Sequence, residues 1–189
     1  MSCEECNAAG SAGSCSECGS LAFRKAGDAT IALLGQPNSG KSTLFNGLTG
    51  SRQHVGNWPG KTVERKVGEF SHAGKVYQVV DLPGSYGLAA NSPEETVTHD
   101  FIAEGSADVT LVMADASQLE RSLYMLADFA CLDTPQPCVL ALNLMDVAKQ
   151  QGKTIDAGKI EKRLGIPVVP LVAADPKGYE ALLAAIERT

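Results

Sequence analysis

Residues Gly35 to Thr43 read "GQPNSGKST" and follow directly on the apolar run Ile31-Ala32-Leu33-Leu34. The stretch fits G-x-x-x-x-G-K-[ST], the loop that joins a buried strand to a helix and wraps a pyrophosphate with its backbone N–H groups while the helix N-terminus adds positive charge. Few folds offer that setting, so the loop predicts an α/β domain whose first strand ends at Gly35 and whose first helix opens at Lys41. Gly35, Asn38, Ser39, Gly40, Lys41, Ser42 and Thr43 are the candidate nucleotide contacts. Lys41 is expected to bridge the β- and γ-phosphates, and Ser42 to place its hydroxyl on Mg²⁺. The loop alone does not choose between ATPases, kinases and GTPases.

The rest of the chain alternates in the manner this reading requires. Strand-like runs are expected at 30–34, 63–70, 76–81, 109–115, 138–143 and 168–172, with helices at 41–49, 93–104, 120–131, 156–164 and 178–188. Strands alternating with helices predict a sheet covered on both faces. Only "HAGK" at 72–75 is too short for a crossover helix, which forces the runs on either side of it into an antiparallel hairpin. The sheet is therefore expected to be mixed, six-stranded and parallel except at one edge, with about five helices.

Two further motifs choose the nucleotide. Asp81 ends the apolar strand "VYQVVD" and opens Asp81-Leu82-Pro83-Gly84, a D-x-x-G unit in which the carboxylate reaches Mg²⁺ through water and the Gly84 N–H meets the γ-phosphate. One strand later, Asn143-Leu144-Met145-Asp146 supplies Asn-x-x-Asp, so Asn143, Met145 and Asp146 are candidate base contacts. The Asp146 carboxylate would accept both the N1–H and the exocyclic N–H of guanine, whereas adenine would leave it unpaired at a cost of about 1–3 kcal/mol. Val172, Ala173 and Ala174, after the last strand, suit a loop offering a backbone N–H to guanine O6. Thr62 is the only threonine between the first helix and the strand near Val67, so elimination makes it the switch residue whose hydroxyl completes the Mg²⁺ shell. The preceding "SRQHVGNWPGK" reads as a loop ordered by nucleotide, with Trp58 either part of that loop or a core anchor. The expected fold is a Ras-like phosphate-loop GTPase, a three-layer α/β sandwich.

Composition narrows the partners. With 189 residues and 44% apolar content, the chain supports one core. Its formal charge of −6 and lack of a basic run exclude the electrostatic footprint of a nucleic-acid binder. No apolar segment is long enough to span a bilayer and no signal peptide is recognisable, which reads as a soluble intracellular chain. Cys3, Cys6, Cys15 and Cys18 form C-x2-C-x8-C-x2-C, a thiolate set suited to zinc or iron, although the spacer "NAAGSAGS" is short and linker-like, so a tail of reduced thiols stands beside it. Residues 1–27 are expected to be a flexible tail and 28–189 the folded domain. Cys131 and Cys138 lie among apolar neighbours and read as core packing. His54, His72 and His99 share no spacing and read as surface residues.

The set "GQPNSGKSTLFNGLTGSRQHVGNWPGKTVERKVGEF", "VVDLPGSYGL", "NLMD" and "RLGIPVVPLVAAD" resembles the cytosolic GTPase domain of FeoB, the bacterial ferrous iron transporter family, over about residues 28–189. The resemblance implies GTP binding and hydrolysis to GDP that regulates ferrous iron uptake. The implied partner is a membrane permease portion, in cis or as a separate chain, at the inner face of the bacterial membrane; a homo-oligomer stays open. No glutamine follows D-x-x-G here, where Ser85 and Tyr86 stand instead. Members of the family hold K⁺ with an asparagine at the position of Asn38 together with main-chain oxygens near 56–58, which implies slow, potassium-stimulated turnover with Lys41, Asn38, Thr62 and Gly84 as the catalytic set. Leu144 replaces the lysine of the usual N-K-x-D motif, which implies looser guanine binding, and Lys61 stands where an apolar residue is commoner. Two other readings are a nucleotide-dependent docking or metal-sensing module with little turnover, and a soluble GTPase acting on ribosomes or RNA.

Overall fold

The computed structural model describes residues 27–132 and 136–189. The metal expectation for Cys3, Cys6, Cys15 and Cys18 lies outside the described residues. In chain order the elements are β1 (Ala29–Gly35), α1 (Lys41–Thr49), β2 (Gln53–Asn57), β3 (Glu64–His72), β4 (Lys75–Asp81), α2 (Pro93–Ala103), β5 (Val109–Asp115), α3 (Leu119–Cys131), β6 (Cys138–Asn143), α4 (Met145–Gln150), α5 (Ala157–Leu164), β7 (Val168–Pro170) and α6 (Tyr179–Glu187).

The strands form one sheet in the order β2-β3-β4-β1-β5-β6-β7. β1 lies between β4 and β5, parallel to both, and is buried along nearly its whole length. Its side chains alternate between two cores, as the period of a strand requires. Ile31 and Leu33 face Leu44 and Phe45 of α1 and Leu182, Leu183 and Ile186 of α6. Ala32 and Leu34 face the other layer, where Val97, Phe101 and Ile102 of α2 meet Met125, Leu126 and Phe129 of α3. The result is a three-layer α/β sandwich with every parallel strand ending at the same edge, where the phosphate loop sits.

β3 runs antiparallel to β4, and their two-residue turn places Ala73 at φ 49° and Gly74 at φ 79°, the doubly positive pair of a type I′ hairpin. The expected hairpin is therefore present, with Phe70 and Tyr77 stacked across it at 5.1 Å.

Three expectations are corrected and one open alternative, that of Trp58, is decided. The sheet has seven strands, because Gln53–Asn57 pairs antiparallel with β3 where a loop was expected. All but Gln53 of this edge strand are exposed, Val55 at 64%, so backbone pairing alone defines it and no apolar alternation announces it. Six α-helices are present among the described residues, since α4 adds a six-residue helix too short to show a 3.6-residue period. Trp58 is a core anchor, 3% exposed and edge-on to Phe101 at 5.5 Å. Cys131 is exposed and Cys138 half-buried, so only Cys138 approaches the core role expected of both.

Candidate functional site

The turn from β1 into α1 has an unusual backbone. Asn38 and Gly40 both have positive φ, 64° and 93°, the left-handed region that turns successive N–H groups toward one concavity. Gly40 is also forced by proximity, because a Cβ there would run into Nδ2 of Asn143. That asparagine, 1% exposed, braces the whole site: its Nδ2 donates to Ser39 O at 2.8 Å and its Oδ1 accepts from Ala173 N–H at 2.8 Å. The Tyr179 hydroxyl donates to Ala173 O at 2.7 Å, so the loop after β7 is held on both sides.

Lys41, Ser42, Thr62, Asp81 and Gly84 line one cavity of about 380 Å³ at the C-terminal edge of β4. Five residues separated by up to 43 positions (84 − 41) are thus brought to one place by the pairing of β4 with β1 on one side and with β3 on the other. Asn38, Gly40, Lys41, Ser42 and Thr43 line an adjoining hollow of about 330 Å³ over the phosphate loop. Glu64, Lys66 and Glu94 join the larger cavity without having been anticipated from sequence; Glu64 and Lys66 pair at 3.1 Å. Their only sequence signal was nearness to Thr62 and to the D-x-x-G unit.

Charge is concentrated at the base of this cavity. The Lys41 ammonium, 8% exposed, donates to Gly35 O at 3.1 Å and Gln36 O at 3.4 Å. Burial holds its pKa below the ordinary lysine value, and the nearby Asp81 carboxylate partly offsets that. Burial pushes the Asp81 carboxyl above the ordinary range, with Lys41 and Lys66 acting against the rise. One Asp81 oxygen, Oδ1, is buried with no hydrogen-bond partner among the described residues. An orphaned carboxylate oxygen in a cavity that Ser42 and Thr62 also line is a hard-oxygen set suited to Mg²⁺, which takes one or two carboxylates and completes its shell from phosphate and water. Among the described residues no group of three or more His, Cys, Asp or Glu side chains has metal-holding geometry. Gly84 passes so close that a Cβ would lie 3.0 Å from Lys41 Nζ.

The raised Asp81 pKa has a testable sign. A carboxyl whose folded pKa lies above its unfolded value of 3.8 contributes stability that is full below 3.8 and is lost as pH rises through the folded pKa. Asp81→Asn is therefore expected to melt higher than the wild type at neutral pH without nucleotide. The gap should close as pH falls toward 3.8, read by thermal melts across pH 4 to 8; a gap that stays constant would refute this account.

At the other end, Asp146 is exposed in the first turn of α4, after Leu144 at φ 60°. Met145 is half-buried and packs on the α2–α3 side of the core. Ala173 N–H is already engaged by Asn143, which leaves the N–H groups of Val172 and Ala174 as the candidates from that loop. Thr62 is exposed, directly after a turn in which Lys61 N–H bonds Trp58 O at 3.0 Å. Lys61 itself pairs with Asp100 of α2 at 3.2 Å, which ties the segment before Thr62 to the helix after D-x-x-G. Asn38 lines the hollow over the phosphate loop and a second one beside α3, and neither includes residues 56–58. Gly56 and Asn57 are instead paired with Arg65 and Glu64 in β2.

Comparison with known proteins follows the same residues. The family model for ferrous iron transport protein B matches residues 29–186. The Fe(2+) transporter FeoB of Escherichia coli (strain K12) is 48% identical over 163 residues, 84% of this chain but 21% of that protein, so the chain spans about a fifth of the length of this relative. The G domain of the T. maritima FeoB iron transporter superposes with a TM-score of 0.79 at 39% identity, covering 85% of this chain and 97% of that one. The cytosolic domain of the same transporter in its GMPPNP form gives 0.80 at 40% identity, covering 85% of this chain and 63% of that one.

Proposed function

The chain belongs to the FeoB family of ferrous iron transport proteins, as a phosphate-loop G domain, and from that premise we propose that it binds GTP with Mg²⁺, hydrolyses it slowly to GDP and phosphate, and thereby regulates iron passage through a membrane permease. The observation that carries the reading is the single cavity shared by Lys41, Ser42, Thr62, Asp81 and Gly84. In this reading Lys41 neutralises the β- and γ-phosphates, Gly84 offers its N–H to the γ-phosphate, and the N–H groups of Gly35 to Thr43 hold the rest of the triphosphate. Ser42, Thr62 and Asp81 hold Mg²⁺, which when bound offsets phosphate charge. Asp146 accepts from guanine, with Val172 and Ala174 beside it, while Asn143 keeps the phosphate loop and the base loop in register. Residues 28–189 act as the GTPase domain, at the inner face of the membrane when joined to the permease.

Potassium enters through Asn38. Its amide oxygen and carbonyls of 56–58 are suited to a monovalent cation, which would offset charge on the β–γ bridge. Gly56 and Asn57 are paired with β3 and line neither hollow that Asn38 lines, so in this reading cation binding goes with a rearrangement of the segment before Thr62. The test is steady-state hydrolysis of GTP and ATP in matched KCl and NaCl. GTP-only turnover, several-fold faster in KCl, with Asn38→Ala falling to the NaCl rate, is expected; an Asn38→Ala variant that keeps its potassium response would sink the cation role. Nucleotide binding without turnover in either salt would favour a docking module, a reading supported by Ser85 and Tyr86 standing where a water-orienting glutamine would follow D-x-x-G.

A further inference from the structure

We infer that Arg121 is a positioning residue for hydrolysis, holding the loop after D-x-x-G against the phosphate loop by stacking on Tyr86. The inference rests on the GTPase reading and adds a residue to it. The Arg121 guanidinium lies over the Tyr86 ring, 5.0 Å from its centre. The Arg121 main-chain carbonyl accepts from Gln36 Nε2 at 2.9 Å, and Gln36 is the buried second residue of the phosphate loop. One residue at the start of α3 therefore touches both loops, through separate atoms.

The remainder of α3 extends the same contact. Asp128, seven residues on and so on the same face two turns later, accepts from Leu88 N–H at 3.1 Å. Leu88 is 4% exposed and anchored in the core, whereas Tyr86 is 55% exposed. The loop is thus fixed at Leu88 by burial and at Tyr86 by the arginine. Two residues before Tyr86, Gly84 passes the phosphate loop so closely that a Cβ would sit 3.3 Å from Pro37 Cα and 3.0 Å from Lys41 Nζ. Arg121 and Tyr86 also line, with Pro37 and Asn38, a hollow of about 190 Å³ on the α3 side of that loop. Movement of Tyr86 is passed to Gly84 through a single intervening residue, Ser85, which is itself buried. The stacking accordingly governs where the Gly84 N–H points, a requirement of the reaction step and not of base recognition.

The separation of atoms makes the inference testable. Truncating the side chain leaves the Gln36 bond to the main chain intact and removes only the stacking. With GTP hydrolysis by the full chain as readout, Arg121→Ala is expected to lower kcat about two- to fivefold, the scale of an exposed cation–π contact. KM and the dissociation constant for a fluorescent GDP should stay within about twofold of wild type. Tyr86→Ala should match it, Tyr86→Phe should retain wild-type kcat because the ring and not the hydroxyl is used, and the double alanine variant should be no slower than either single one. A fall in melting temperature large enough to unfold Arg121→Ala is controlled by Arg121→Lys, expected to fold and to show an intermediate kcat. Unchanged kcat in Arg121→Ala, or losses that multiply in the double variant, would overturn the inference while leaving GTPase function intact. A wild-type chain without turnover would overturn both.

Discussion

Replacing Lys41 by methionine is expected to weaken GTP and GDP binding by about 30- to 4,000-fold, the equivalent of about 2–5 kcal/mol for truncating one partner of a desolvated charge pair. Methionine keeps the unbranched stem and its packing and removes only the ammonium, so the change isolates charge. The same substitution should not cost the nucleotide-free protein stability. Lysine 41 is buried, its pKa is lowered chiefly by that burial, and a lysine whose folded pKa lies below its unfolded value of 10.5 is a group whose ionised form opposes folding. In the wild type that penalty is relieved as pH rises toward 10.5, and in Lys41→Met it is absent at every pH. Loss of the cation also removes an attraction that holds the Asp81 carboxyl down, so that pKa rises further. Nucleotide titration and thermal melts of the two proteins decide the matter. Binding within tenfold of wild type would remove Lys41 from the phosphate role, and a melting temperature lowered as far as by a core truncation would make it a structural residue. The expected pattern, lost binding without lost stability, is what a site that stores unfavourable charge for a ligand should give.

That storage explains which parts of the molecule could be read from its sequence. The phosphate loop, D-x-x-G and Asn-x-x-Asp were legible because each is contiguous and each stands at the end of a strand buried on both faces, written as the continuous apolar runs Ile31–Leu34, Val79–Val80 and Val139–Leu142. The hairpin was legible from the four residues "HAGK", since only a tight turn fits between two such runs. β2 was not, because a strand with no buried face has no pattern, and what makes it a strand is the neighbouring backbone of β3. Trp58 could be read either way until Phe101, 43 residues on (101 − 58), was found against it. The bracing role of Asn143 was hidden for a related reason: its partners, Ser39 and Ala173, lie 104 and 30 residues away, and nothing local marks an amide that bonds backbone on both sides. Arg121 is a stronger case, an ordinary cation in an amphipathic helix until the fold lays Tyr86 under it. Sequence motifs name groups that touch a ligand; the groups that hold those groups in place are set by topology.

The second large effect concerns the base. Asp146→Asn is expected to reduce GTP binding by about 100-fold or more and to raise affinity for the xanthine nucleotide in its place. A carboxylate presents two acceptors, which matches the N1–H and exocyclic amine donors on one edge of guanine. An asparagine presents one acceptor and one donor, so against guanine its amide N–H₂ faces the exocyclic amine and leaves both donors unpaired. Xanthine carries a carbonyl where guanine carries that amine, so its N1–H and oxygen meet the amide's oxygen and N–H₂. A site built to pair a substrate's polar edge rejects the mismatched analogue by factors of about 10⁴–10⁵ where the groups are buried; Asp146 is exposed in the open site, which sets the expectation below that range, at about 100-fold or more. The fold should be untouched, because Asp146 is exposed and the substitution leaves its backbone in place, while α4 is anchored by the Leu144 carbonyl accepting from Ala148 N–H at 3.0 Å and by buried Ala148. Competition of GTP, XTP and ATP against fluorescent GDP on both proteins measures the switch. If the asparagine variant still prefers guanine, Asp146 does not read the base. If both nucleotides bind equally weakly, the edge is read elsewhere, and the backbone of Val172 and Ala174 becomes the group to test, because Ala173 N–H is already spent on Asn143.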